Sequence, residues 1–404
     1  MNTHRSGDFE TSDPDSALAP VAFNEVHPEG EELAYMGEAI TSGRTQSSGP
    51  FTARAADVLK AETGAAEALL TTSCTAALEL SGLLLDLKPG DTVIVPSFTF
   101  VTSALAFVRE GARLKFCDIE PETLGLDPRH LAELLDDTVR AVVMVHYAGI
   151  ACDVDGIREV LKDRPDVTIV EDAAHGLFGR WRGQPLGSLG RYATLSFHQT
   201  KNIVCGEGGA LLLNDPDDVR RAWVMHDKGT DRKAFFQGYV DKYTWRDVGS
   251  SFGMSDVLAA YLFGQLEARE SIQARRRAVF EGYLEALAPH ADRVGLRLPV
   301  VPEDCEPAYH LFHVLLPDPD SRTRAIKELA AQNISTAFHY VPLHDSEGGR
   351  RFSAYAGDGA ADRVPDCPVT TDVSRRLLRL PFHNHLTGDD VDRVSEALVR
   401  ILDA

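Results

Sequence analysis

Three short stretches of the 404-residue chain carry residue types that could do chemistry together. In VTIVEDAAH an apolar run ends on Asp172. That places a carboxylate where a strand of a parallel sheet stops, the edge at which open α/β sheets bind ligands. In ATLSFHQTKN, 29 residues further on, Lys201 lies just past a second apolar run. In TTSCTAALEL (71–80) small hydroxyl residues open a helix, whose free N–H groups and positive dipole end suit a phosphate. Singly, each has an ordinary reading: a loop residue or cap, a solvated charge, a helix start. In this order they meet the needs of pyridoxal phosphate (PLP). Its aldehyde takes a lysine as a Schiff base, its pyridine nitrogen needs a carboxylate to hold a proton, and its phosphate needs donors.

The elements that must position these residues are legible around them. From about 65 to 215, apolar runs of strand length recur: TVIVP (92–96), RLKFCD (113–118), AVVMVHY (141–147), VTIVED (167–172), ATLSFH (193–198) and GALLLN (209–214). Helical stretches at 75–87, 102–110, 130–137 and 155–163 separate several of them. Near-continuous apolar strands alternating with helices predict an α/β fold with a mostly parallel sheet covered on both faces. Helices are expected at 31–42, 51–63 and 216–227, and one long helix over 254–288. Strands YHLFHVLL (309–316) and STAFHY (335–340) with further helices suit a smaller α/β domain. The division expected is a disordered tail over 1–20, a large cofactor domain over 21–265 and a small C-terminal domain over 266–404.

Composition narrows the partners. Lys and Arg number 41 against 61 Asp and Glu, a formal charge of −20. A protein that grips a duplex needs clustered cations, so nucleic acid and anionic membrane surfaces are poor partners. No apolar run is long enough to span a bilayer, and the polar start lacks the apolar core of a secretory signal. The six cysteines form no CxxC pair and no zinc spacing, so a cytoplasmic protein without a structural metal is expected.

SCTAALEL, PSFTFVTSALA, VEDAAH, LSFHQTKN with CGEGGAL, and FHYVPLH resemble the DegT/DnrJ/EryC1/StrS family of sugar-nucleotide aminotransferases, over roughly 22–402. The resemblance implies a fold-type I PLP-dependent transferase, working as a homodimer with its site at the subunit interface. It implies Lys201 as the Schiff-base lysine and proton shuttle and Asp172 on the pyridine nitrogen. His175 would approach the ring hydroxyl and Phe100 stack on the ring. Ser73, Thr75, Ala76 and Ser196 would hold the phosphate. His339 would line the sugar pocket, with Tyr340 and His344 as weaker candidates. Within the family, KGTDRKAFFQGYVDKYTWRDVGSSFGMSD (228–256), HYAGIACDVD and LLRLPFHNHL resemble dTDP-4-amino-4,6-dideoxygalactose transaminases. That branch implies amino transfer from L-glutamate to C4 of dTDP-4-keto-6-deoxy-D-glucose. The gluco epimer and a 3-keto substrate are the alternatives. Lys228, Arg232 and Lys233 fall in the segment expected near the nucleotide. Many members carry GYNxRLTD before the long helix, with an Asn reaching the neighbouring subunit's phosphate. Here the segment is SSFGMSD, with Gly253 in the Asn place and Ser250 or Ser251 as substitutes.

Other signals weigh less. GSSFG (249–253) matches the GxSxG hydrolase elbow, which would make Ser251 a nucleophile with Asp366 and His383 or His385 as partners. GEGGA (206–210) reads as a turn between strands. The run Arg275-Arg276-Arg277 reads as a solvated helix face. The family's dehydratase branch has a histidine for the lysine, so Lys201 keeps the aminotransferase reading and His198 is an ordinary motif histidine.

Overall fold

Short runs rich in Val, Ile and Leu, bounded by turn residues, cannot complete a helix that buries one face, and they form the strands of the protein. A computed structural model describes residues 19–355 and 366–404; residues 1–18 of the expected tail lie outside the described residues. Chain order gives β1 (Glu67–Thr71), β2 (Thr92–Pro96), β3 (Arg113–Cys117), β4 (Val139–Val145), β5 (Thr168–Asp172), β6 (Arg180–Trp181), β7 (Gln184–Pro185), β8 (Tyr192–Ser196), β9 (Gly209–Leu213), β10 (Cys305–Glu306), β11 (His313–Leu315) and β12 (Leu377–Arg379). One seven-stranded sheet has the order β1-β9-β8-β5-β4-β2-β3, and only β9 runs against its neighbours. The other two sheets are small, β10-β6-β7 and β11-β12.

Both faces of the large sheet are buried. On β2, Ile94 joins Val142 and Met144 in one core, while Val93 and Val95 join Ala141, Val143 and Val145 in another. Side chains alternate across a strand, so covering both faces requires every position to be apolar, which is why these strands read as unbroken runs. Helices α1 (Glu32–Thr41) and α2 (Pro50–Thr63) precede β1, and α3 (Cys74–Leu84) follows it. Asp256 ties α2 to the later helix Asp256–Glu267: its carboxylate accepts from Phe51 N (3.3 Å), Thr52 N (2.7 Å) and Thr52 Oγ1 (2.8 Å).

Two expectations need correction. The long helix is two helices, Asp256–Glu267 and Arg269–Val294, because Ala268 takes φ −83°, ψ 3°, outside helical geometry. STAFHY is not a strand beyond a single bridge between Ala337 and Arg379. Its consecutive rings His339 and Tyr340 stack face to face, with centroids 3.8 Å apart and 14° between planes. A strand would send them to opposite faces. The partner of β11 is instead Leu377–Arg379.

Strand register sets the functional edge. Thr71 on β1 pairs with Gly209 on β9, Gly209 pairs with Ser196 on β8, and on the other side of β8 Thr194 pairs with Asp172. Gly209 must be glycine: a Cβ there would lie 2.4 Å from Cys74 N and from the Ser73 carbonyl carbon. Gly209→Ala is therefore expected to push the start of α3 off the sheet and cost about 1–3 kcal/mol, the usual range for overpacking. Thermal unfolding checks it; an unchanged midpoint would contradict the close approach.

Candidate active site

The carboxyl ends of β1, β8, β5 and β4 open into a cavity of about 630 Å³ whose lining includes Ser73, Thr75, Asp172, His175, Ser196 and Lys201. Asp172 is the last residue of β5 and is buried. Its Oδ2 accepts from Ser103 Oγ (2.6 Å) and its Oδ1 from Ala174 N (3.1 Å), and Ser103 is itself hydrogen-bonded to Thr99 Oγ1 (2.9 Å). Those donors fix the carboxyl group and leave each oxygen a lone pair for a proton-bearing ring nitrogen.

Lys201 sits in the loop between β8 and β9. That loop is closed by Phe197 N to Gly208 O (2.8 Å), Gln199 N to Gly206 O (3.0 Å) and Lys201 N to His198 O (2.9 Å). Gly206 turns it at φ +86°. GEGGA is thus a turn, as its composition suggests, and it aims the lysine into the cavity. Among the described residues the Lys201 Nζ forms no hydrogen bond or ion pair. Burial pushes its ammonium down to about 8, against the opposing pull of Cys74 and Asp172. A lysine near neutrality is a usable nucleophile and base.

At the start of α3 the Ser73 hydroxyl caps the helix by accepting from Ala76 N at 3.1 Å. That bond corrects the expectation for Ala76: its N–H is spent, and it does not line the cavity. The open donors are Cys74 N, Thr75 N and the Thr75 hydroxyl, with Ser196 across the register. A helix start with unspent N–H groups suits a phosphate.

The opposite wall is aromatic and histidine-rich. His175 stacks on His310 (4.1 Å, 22°), and its buried Nδ1 has no partner among the described residues, an orphan that a ring hydroxyl would satisfy. Burial pushes both histidines well below their ordinary value, so they are neutral. His310 is held by Arg276, which donates to Tyr309 O (2.9 Å) and His310 O (2.6 Å). Arg276 is buried, which corrects the solvated reading of the arginine run. His339 lies between Tyr147 Oη (3.1 Å from Nδ1) and Arg379 Nη1 (2.7 Å from Nε2). The guanidinium can only donate, so Nε2 accepts and Nδ1 carries the hydrogen. Burial, with Arg379 beside it, pushes His339 down to about 2. Phe100 and Tyr340 complete this wall; Phe100 is 56% exposed and offers a free face. Sequence reasoning missed Tyr147, His310, Ser103 and Arg379. Each is one ordinary residue within a motif, and only the fold brings them together.

Some expected residues lie elsewhere. Within one chain Lys228, Arg232 and Ser250 do not line this cavity. Lys228 and Arg232 face Asp227 at 2.6 Å and 3.9 Å, Arg232 with Lys233 borders a separate hollow, and Ser250 is exposed. His344 is spent on Ser97 Oγ (2.6 Å). Gly253 is not in the Asn place: counted back from Asp256, the motif's Asn falls on Ser251. No Asn side chain fits at Gly253, where a Cβ would lie 2.7 Å from Ser47 Cβ. The GSSFG segment is extended, with Ser251 bridged to Asp227 and Gly253 to Thr71, rather than a strand-to-helix elbow. Among the described residues the Ser251 hydroxyl has no histidine partner, so nothing activates it as a hydrolase nucleophile.

The model of the DegT/DnrJ/EryC1/StrS aminotransferase family matches residues 27–399. The spore coat polysaccharide biosynthesis protein SpsC of Bacillus subtilis (strain 168) is 31% identical over 376 residues, covering 91% of this chain and 93% of SpsC. Among solved structures, the aminotransferase TlmJ from Streptoalloteichus hindustanus superposes with a TM-score of 0.84 at 29% identity, covering 95% of this chain and 99% of TlmJ. S. venezuelae DesV, in complex with a ketimine intermediate, gives 0.81 at 31%, covering 93% and 95%. The chain belongs to the DegT/DnrJ/EryC1/StrS aminotransferase family, with PLP as its cofactor.

The depressed lysine has a pH consequence. Its folded value, about 8, lies below the ordinary 10.5, so between the two the unfolded chain binds more protons and this group's contribution to stability rises with pH. In cofactor-free protein the neutral amine should also appear with a midpoint near 8. The rate at which PLP adds is expected to climb through that pH and to vanish in Lys201→Ala. Stopped-flow absorbance reads it; a midpoint near 10.5 would contradict the buried setting.

Proposed function

We propose that this member of the family transfers the amino group of L-glutamate to C4 of dTDP-4-keto-6-deoxy-D-glucose, giving dTDP-4-amino-4,6-dideoxy-D-galactose and 2-oxoglutarate. The observation that carries the reading is one cavity holding a neutral-prone lysine, without a partner among the described residues, and a doubly hydrogen-bonded aspartate at the end of the neighbouring strand. The choice of sugar is supported by the resemblance of the 228–256 segment to that branch. SpsC, a polysaccharide biosynthesis protein, is a compatible relative.

Bound PLP supplies an electron-withdrawing ring to which amino groups attach covalently. The chain's own residues do the rest. Cys74 N, Thr75 and Ser196 would hold the phosphate, and Asp172 would accept the ring N–H and keep its positive charge in place. His175 Nδ1 would meet the ring hydroxyl, and Phe100 would cover the ring. Lys201 Nζ would act as the base at Cα of glutamate in the donor half and as the acid at C4 of the sugar in the acceptor half, regaining its starting protonation state at the end of each half. Positioned acid–base catalysis of this kind contributes about 10²–10⁴-fold. His339 and Tyr340 would meet the sugar. Lys228, Arg232 and Ser250 could reach it only from a second copy, which fits a homodimer. The exposed Phe100, Val101, Leu105 and Trp245 are apolar surface for such a partner.

Product made from dTDP-4-keto-6-deoxyglucose, glutamate and PLP, solved by NMR, tests the reading. An axial C4 amine is expected. An equatorial amine would assign the gluco epimer, and no amination of this sugar together with turnover of its 3-keto isomer would assign the 3-keto reading. Asp172→Asn should cost at least about 10²-fold in kcat with the cofactor still bound. Sedimentation should give twice the 44.1 kDa chain mass; a fully active monomer would refute the shared site.

A further inference from the structure

Arg379, at the end of β12, borders the cavity and is a cation there with few partners. Its main chain is tied to Ala337 in both directions (2.7 Å and 3.2 Å), and its guanidinium lies over the Phe23 ring, 4.7 Å from the centroid. Nη1 donates to the neutral His339, Nε is buried without a partner, and among the described residues no carboxylate forms an ion pair with it. The groups that face it are Lys201, His175, His310, His313, His339, Tyr147 and Tyr340, none of them an anion. Several arginines elsewhere are answered: Arg191 by Asp218, Arg221 by Asp86, Arg246 by Asp231, and buried Arg276 by two carbonyls. An enclosed charge with no counter-charge is costly, and a protein keeps one where a ligand brings the anion.

We propose that Arg379 binds a carboxylate of the amino donor. The assignment rests on the aminotransferase reading above and adds the residue that selects the donor. Three anions visit the cavity. The cofactor's phosphate belongs at the start of α3. The nucleotide diphosphate is separated from the reacting C4 by the whole sugar ring. The α-carboxylate of glutamate is bonded to the carbon that carries the reacting amine, so it must lie beside Lys201. Arg379 lies near enough for its charge to oppose the lysine's. Its planar fork matches a carboxylate, and Nη2 and Nε remain to donate. The donor leaves as an oxo acid before the sugar enters the same cavity. A permanent acidic partner for Arg379 would block the first half of that exchange, which accounts for its absence.

The test uses PLP-loaded protein and two inert probes, glutarate and dTDP, titrated calorimetrically. Arg379→Gln is expected to weaken glutarate about 10–100-fold, the range for losing a charged hydrogen-bond partner, while dTDP changes less than about twofold. Arg379→Lys should recover only part of the loss. Arg379→Met keeps the volume, and its cofactor absorbance and melting temperature report an intact fold if the Gln variant unfolds. Wild-type affinity for glutarate in a folded variant overturns the proposal. So does a loss confined to dTDP, which would give Arg379 to the diphosphate, or a wild type that binds no glutarate. A wild type that binds glutarate through Arg379 but neither binds dTDP nor aminates the keto sugar would sink the sugar assignment and leave Arg379 standing.

Discussion

The site depends on two adjacent carboxylates at the end of one buried strand. Glu171 and Asp172 point to opposite faces of β5, as neighbours on a strand must. Glu171, fully buried, is consumed by structure: it meets His146 Nε2 (3.0 Å), Leu189 N (2.8 Å), Gly190 N (3.1 Å) and Gly187 N. Those bonds lock the end of β5 to the loop entering β8. Buried charges persist only when so fully answered. With one acid fixed, the other faces the cavity with its lone pairs available, and its height relative to Ser196 and the start of α3 follows from the ladder.

That ladder explains how much of the site could be read from the chain. TVIVP coincides with β2, and the runs ending in Asp172 and preceding Lys201 are strands, because burial on both faces leaves an unbroken apolar signature. Asp172, Lys201 and the hydroxyl-rich helix start converge because β5, β8 and, beyond the antiparallel β9, β1 run the same way and deliver their carboxyl ends to one edge. Ala76 was misplaced because a cap bond within its own turn, invisible in composition, takes its N–H. The break at Ala268 left no signal, since alanine fits either side of it. The histidine wall was legible only in part. His175 and His339 sit in motifs, but His310 and Tyr147 owe their place to Arg276 and to ring packing between distant segments.

Charge shows the same division between global and local. A net −20 governs the far field and disfavours polyanions, yet the cavity concentrates Lys201 and Arg379 among histidines that burial keeps neutral. Other acids lie at the surface, where Asp218 and Asp86 pair with Arg191 and Arg221. Small anions are therefore held by short-range donors, while the outer field, screened over about 10 Å at ordinary salt, merely slows their approach.

The central claim is that Lys201 and Asp172 operate one PLP site that accepts an amino group from glutamate. The most direct measurement is the visible absorbance of PLP-loaded protein as glutamate is added without any sugar. The account predicts that the cofactor band falls, with one 2-oxoglutarate released per site, and that Asp172→Asn slows the fall. A wild-type band that persists under saturating glutamate, with no 2-oxoglutarate formed, would contradict it.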